Sequence, residues 1–491
     1  MPRLRRLTLA SALTLAALHG ASAQAPTCVR ELDWAAGFTA TNYAGFADKV
    51  TPATRPAYDS LLAGLRTDAE RASDAAECDR VLARWLAFFQ DRHLTIGRRP
   101  ASATTSGGPA FSTSDEAVRA RFATSERVAV DERAARARLD ALGAARAPIE
   151  GIWESSDGRY RTAVLRDARD TTRYVMSVLR ADSVWWVPGQ VKATFVADTG
   201  GTYATQFFLR DHTPQRWTTR VRRNVLALPG LPPWLRRWPD APDDVPPALE
   251  RTLANARFAA YDVAPGVVLV QVPTFNDPHG IDSLFAAEGA RIRGAERLVI
   301  DVRGNGGGSD YNYRELTPLL ATGPVRAVGM MALATDANIA ANDAMAHDTT
   351  YPDAQRRGLA WLTDQMRKHR GAWAVLGDDE RTDPARARPV AVAVLVDRGC
   401  ASSCEQFLLA ARQSRKVTLY GDRSGGVLDY GNVRSEPMPG GTLILNRPIT
   451  RTKRLPANPV DNIGIAPDVR VPADEVLPVA WVLRHMDTPR R

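Results

Sequence analysis

Residues 297–308 read Arg-Leu-Val-Ile-Asp-Val-Arg-Gly-Asn-Gly-Gly-Gly. An apolar run ends in Asp301 and then in three consecutive glycines. That pattern predicts a buried strand running into a loop whose backbone can adopt positive φ and approach another group closely. A second junction has the same form. The run "PVAVAVLVDRG" (389–399) leads into Cys400-Ala401-Ser402-Ser403-Cys404-Glu405, which opens the amphipathic helix "SCEQFLLAARQS" (403–414). Around these lie the strand "GVVLVQVPTF" (266–275), the helix "IDSLFAAEGARIRGA" (281–295) and the strand "KVTLYGD" (416–422). Strands alternating with helices predict an α/β unit with a mostly parallel sheet over 248–491.

Outward from this unit the character changes. Residues 24–147 carry apolar side chains at three- and four-residue steps and read as helical, interrupted by a Ser/Thr/Gly/Pro-rich loop at 98–114. Short Val/Tyr/Thr/Trp runs from 148 onward, separated by Asp157-Gly158 and Gly200-Gly201, predict an antiparallel β module. Its proline-rich end, "ALPGLPPWLRRWPDAPDDVPP" (227–247), reads as a linker or an ordered surface crossing. The module and linker occupy 148–247. Residues 328–385 read as a helical insertion.

The first 23 residues have a positive start (Arg3, Arg5, Arg6), an apolar run from Leu7 to Leu18 and the small-residue site Ala21-Ser22-Ala23. This is the three-part pattern of a secretory signal peptide. It places the mature chain in the periplasm or outside the cell. No internal stretch has the length and apolarity of a membrane span. Net charge is +9, and the three leader arginines account for part of it, leaving +6. The remaining arginines are interleaved with acids, as in "RDARDTTR" (166–173), which argues against a nucleic-acid face.

Export permits disulfides. The four cysteines allow three pairings. Cys28–Cys78 is the first choice, and its loop would contribute roughly 3–4 kcal/mol in the chain-entropy account. Cys400 and Cys404 form either a tight bridge or two thiols. No cysteine or histidine group has zinc spacing, and the glycines do not fit the G-x-G-x-x-G dinucleotide pattern, so neither metal nor cofactor is expected.

The glycine loop could cradle a phosphate or stabilise an oxyanion, and Ser402 alone reads equally as an N-cap. Together the junctions resemble the carboxy-terminal processing peptidase and tricorn core peptidase family of serine proteases. The resemblance rests on Asp301 to Gly308 (D-x-R-x-N-x-G-G), on Cys400 to Glu405 (S-A-S-x-x-E in the family), on Gly421-Asp422-Arg423-Ser424-Gly425-Gly426 and on Gly464-Ile465-Ala466-Pro467-Asp468-Val469-Arg470-Val471. It implies a crotonase/ClpP-like catalytic domain in which Ser402 is the nucleophile. Backbone amides of Ser403 and Gly307 would form the oxyanion hole.

The processing branch takes its base from a Lys just after the third motif. Here that place is Val427, and no other Lys matches, so a Ser–Lys pair is not implied. The tricorn-like branch takes a His from an N-terminal D-x-H-T-like element, met by Asp91-Arg92-His93-Leu94-Thr95, which makes His93 the candidate base. His279 is its rival. Asp461, before Asn462, stands where the family has an acid that orients the His, and Asp91 competes for that role. The peptide-binding PDZ module of many relatives is missing, and the β module stands in its place.

The resemblance thus implies an exported serine endopeptidase acting on peptide or protein substrates. A non-catalytic ligand- or peptide-binding protein on the same fold, or an esterase using the same residues, are the alternatives.

Overall fold

The computed structural model describes residues 27–98, 122–181, 184–222, 224–228, 231–240, 245, 247–384 and 386–486. The expected leader and most of the loop at 98–114 lie outside the described residues.

The sheet predicted from the apolar runs is present. Its strands, in spatial order, are Ala259–Ala264, Val267–Gln271, Arg297–Asp301, Ala391–Val396, Val417–Gly421 and Val469–Arg470. All neighbours run parallel except the first pair. Both faces are covered, which is why the strands are apolar without alternation. Val270, Ile300 and Val394 pack against Phe407 and Leu408 of the helix Ser403–Ala411 and against Phe285 of the helix Gly280–Gly294. Leu269, Val299 and Leu395 pack on the other face against Val479 and Val482 of the helix Pro478–His485.

The N-terminal segment is helical as expected, with helices at Thr27–Asn42, Arg55–Arg71 and Ala75–Ala87. Cys28 and Cys78 are disulfide-bonded with Cα atoms 5.5 Å apart, tying the first of these helices to the last. The segment then joins the C-terminal part directly. The strand Thr95–Arg98 pairs antiparallel with Leu443–Thr452, setting Thr95 opposite Asn446.

The β module is a closed eight-stranded antiparallel barrel. It runs from Gly151–Ser155 to Trp234–Trp238, and these two strands close it with Ile152 opposite Trp238. The last strand lies inside the stretch read as a linker. The prolines flank it (Pro232, Pro233 and Pro239), where a missing N–H costs no ladder bond, while Trp234 and Leu235 are buried. The 328–385 insertion is likewise more than helical. Its helices Asp336–His347 and Asp353–Lys368 are framed by the strands Met330–Leu333 and Trp373–Val375, which extend the sheet built on Leu443–Thr452. Among the described residues no helix is long and apolar enough to cross a membrane.

The barrel buries a lysine. Lys192 is the unpaired residue of a bulge, between the pairs Met176–Ala193 and Ser177–Val191, and is only 2% exposed. Its ammonium lies 3.9 Å from the Trp186 ring centroid, 4.6 Å from Tyr160 and 5.1 Å from Phe207, and donates to the Leu209 carbonyl at 3.3 Å. Burial pushes its pKa down to about 7. The unfolded chain therefore binds one more proton than the folded chain between about pH 7 and the ordinary lysine value. Stability should rise with pH across that window. Replacing Lys192 by Met should remove the slope. Thermal unfolding of both proteins from pH 7 to 10 should show the wild type gaining on the variant, and a constant difference would refute the assignment.

Candidate active site

The glycine loop is pinned to its neighbours before it reaches the site. Asp301 is fully buried and pairs with Arg303 at 2.7 Å. Asn305, also fully buried, accepts from the Phe275 amide at 3.2 Å and from the Gly307 amide at 3.0 Å, and donates to the Val272 carbonyl at 3.1 Å. Gly307 has φ +94°, and a Cβ there would lie 2.6 Å from the Ala401 oxygen and 2.8 Å from the Ser402 Cβ. Only glycine lets this strand end press against the second junction.

Ser402 sits at that second junction, immediately before the helix Ser403–Ala411, with φ 57° and ψ −124°. A non-glycine residue in this region is strained and is held there by its surroundings. Three restraints are visible. Cys400 and Cys404 are disulfide-bonded, with Cα atoms 5.4 Å apart, so the bridge and not the pair of thiols is realised. The Ser402 amide donates to the Val427 carbonyl at 2.9 Å. The Ser403 hydroxyl donates to the Gly308 carbonyl at 3.0 Å.

Glu405 supplies the deepest restraint. It is fully buried, yet its carboxylate has no cationic partner among the described ion pairs. Four donors replace one: the Ser424 hydroxyl at 2.5 Å, the Gly426 and Val427 amides at 2.7 Å each, and the Ser402 amide at 3.2 Å. A buried carboxylate saturated in this way locks the Ser402 turn to the 424–427 segment. No role was assigned to this residue from the sequence, and its Ser-x-x-Glu capping-box spacing is the signal that could have found it.

His93 arrives at the same segment from the other end of the chain. Gln90 accepts from the Asn462 side chain at 2.8 Å, and Arg92 donates to the Gly425 carbonyl at 3.2 Å. His93 Nδ1 lies 2.7 Å from the Tyr430 carbonyl oxygen. A carbonyl can only accept, so Nδ1 carries the proton and the neutral ring keeps its lone pair on Nε2. Val427 binds Ser402 and Tyr430 binds His93, only three residues apart.

The candidate acids are engaged elsewhere. Asp91 accepts from the Tyr43 hydroxyl at 2.7 Å and from the amide of His93 itself at 2.8 Å, so it shapes the turn beneath the imidazole. Asp461 Oδ1 accepts from the Leu428 and Asp429 amides at 2.6 and 2.7 Å. Asp461 Oδ2 is buried with no hydrogen-bond partner. Burial, reinforced by the nearby Asp91 and Asp429 carboxylates, pushes Asp461 up to about 7 against the pull of those two amides. The imidazole is thus oriented by a main-chain carbonyl, which no side-chain pattern encodes. Asp461 reaches it only through the 428–430 backbone. His279 is the residue before the helix Gly280–Gly294, and its amide donates to Asp277 at 2.9 Å. Lys416 lies at the amino end of the strand Val417–Gly421, whereas Ser402 follows the carboxyl end of the neighbouring strand. Among the described residues no group of acids, histidines and cysteines could hold a metal ion.

The arrangement sets the Ser402 hydroxyl at the N-terminus of a helix, whose dipole favours developing negative charge. Its integrity should depend on Glu405. Replacing Glu405 by Gln sets an amide NH2 against N–H donors and removes the charge they converge on. We expect a loss of about 2–4 kcal/mol in urea unfolding. Fluorophosphonate labelling of Ser402 should also be lost in the protein that remains folded.

Residues 266–471 match the profile of peptidase family S41. That span holds both junctions and leaves His93 outside. No curated protein matches the chain. Among solved structures, mature CPAF is similar at 13% identity over 94% of this chain and 99% of its own, with a TM-score of 0.48. A putative peptidase from Parabacteroides merdae is similar at 14% identity over 91% and 90%, TM-score 0.39. The tricorn protease is similar at 11% identity over 93% of this chain and 35% of its own, TM-score 0.40. The region 266–471, which holds the glycine loop, the Ser402 turn and the closing strand, is thus similar to a family of serine-type peptidases, peptidase family S41.

Proposed function

We propose that the protein is an exported serine endopeptidase in which Ser402 is the nucleophile and His93 the general base. The observation that carries this reading is the 2.7 Å contact of His93 Nδ1 with the Tyr430 carbonyl, which leaves Nε2 as the proton acceptor. Ser402 Oγ attacks the peptide carbonyl carbon as Nε2 takes its proton. The tetrahedral intermediate collapses with cleavage of the C–N bond, and the imidazolium returns the proton to the leaving amine. Water, activated by the same nitrogen, then hydrolyses the acyl-enzyme.

The oxyanion donors are the Ser403 amide, at the first position of its helix, and the Gly307 amide. Gly307 donates to Asn305 Oδ1 in the resting arrangement, so its peptide must turn toward the site. The run of three glycines makes that rotation cheap. Asp461 acts as a positioning residue, holding the Leu428 and Asp429 amides and through them the carbonyl that orients His93. Export is supported by the leader pattern and by two disulfides that use all four cysteines.

Purified mature protein should label with a fluorophosphonate probe and cleave an unfolded protein substrate. Ser402→Ala should abolish both. His93→Ala should lower cleavage by about 10³-fold or more with the fold intact. Hydrolysis retained by Ser402→Ala would overturn the assignment. Labelling and ester turnover without peptide cleavage would make the protein an esterase.

A further inference from the structure

Arg434 and Arg447 are register partners in the antiparallel pair formed by Tyr430–Pro437 and Leu443–Thr452. Partners in such a pair lie side by side on one face, and like charges there repel. These two are also buried, at 4% and 0% exposure. Arg434 donates through Nη1 to the Val433 carbonyl at 2.8 Å and through Nη2 to Asn342 Oδ1. Arg447 donates through Nε to Asn338 Oδ1 at 3.0 Å and stacks its guanidinium 4.6 Å from the Phe38 ring centroid. Three nitrogens remain buried without a hydrogen-bond acceptor: Arg434 Nε, Arg447 Nη1 and Arg447 Nη2. Among the described residues one carboxylate forms an ion pair with them: Glu436 Oε2 is 3.5 Å from Arg447 Nη2 without a hydrogen bond, and its side chain keeps 32% exposure.

Two buried positive charges therefore face one partly solvated negative charge. Burial pushes both guanidinium groups down, to about 10, but an arginine still cannot shed its proton at physiological pH. Uncompensated, such a pair would cost several kcal/mol. The missing partner must be anionic, must accept from several N–H groups, and must be small, because the site is closed to solvent. We infer that the Arg434–Arg447 pair holds a resident monovalent inorganic anion, of which chloride is the ordinary representative.

The anion would sit where three parts of the chain meet. Phe38 and Asn42 belong to the first helix, Asn338 and Asn342 to the insertion, and the arginines to the sheet. Asn338 also donates to the Asn42 carbonyl at 2.9 Å. The same strand begins at Tyr430, so the anion would stiffen the element whose carbonyl holds His93.

Bromide replaces chloride and scatters anomalously. Crystals of the wild type grown in sodium bromide should show an anomalous peak between the two guanidinium groups. In solution, exchanging gluconate for chloride at constant ionic strength should raise the melting temperature saturably by a few degrees. Arg434→Gln should abolish that rise. Arg447→Gln serves as the second variant if the first does not fold, and the bromide crystal decides if neither does. Ordered water without halide density, or a melting temperature indifferent to the anion, would overturn the proposal. Neither readout depends on peptidase activity, so its failure would leave the Ser402–His93 reading untouched.

Discussion

A single buried carboxylate organises the catalytic half of this protein. Glu405 gathers the Ser402 amide, the Ser424 hydroxyl and the Gly426 and Val427 amides around two oxygens. Among the described residues it forms no ion pair, and its charge is met by oriented dipoles. This makes the arrangement directional in a way an ion pair is not. Each donor must come from one particular direction, and the backbone of two separate segments is fixed as a result. The strained Ser402 conformation, the docking of the Gly307 backbone and the Cys400–Cys404 bridge are all arranged around that point.

The second organising device is a pair of aspartates that hold each other's backbones. Asp461 accepts from the Leu428 and Asp429 amides, and Asp429 in turn accepts from the Val460 and Asp461 amides at 2.7 and 2.8 Å. Arg454 lies 3.3 Å from Asp429 and leaves Asp461 without a cation of its own. The arrangement buries Asp461, which pushes it toward neutrality, and the nearby Asp91 and Asp429 carboxylates add to that push. It also explains how an acid near a histidine can matter without touching it: the acid fixes the main chain, and the main chain offers the carbonyl.

The sequence made the parallel sheet readable because its strands are buried on both faces. Continuous runs such as Leu298-Val299-Ile300 and Val392-Ala393-Val394-Leu395 have few other solutions. Ser402, Ser403 and the glycine loop could be singled out for a related reason, whereas the organising role of Glu405 was not read. A helix N-terminus and a positive-φ turn each demand particular residue types. Barrel closure was not visible, since Gly151–Ser155 meets Trp234–Trp238 across more than eighty residues and no local pattern records that register. Nor could Tyr430 be found as the partner of His93, because it contributes a carbonyl that any residue would have. The facing arginines at 434 and 447 were hidden in the same way. Each is unremarkable in its own strand and becomes anomalous only when the register sets them side by side.

The strand Thr95–Arg98, two residues past His93, pairs with residues 443–446, near the far end of the chain. During synthesis the His93 segment emerges long before either its sheet partner or the Ser402 turn exists. A nascent polypeptide that has not reached Tyr430 therefore lacks the contact that orients the imidazole. On the proposed assignment, competence for cleavage is a late event in the life of each molecule, delayed until nearly all of its length has been made and folded. On that assignment, a chain-cutting protein would stay inert while it is still an unfolded chain itself.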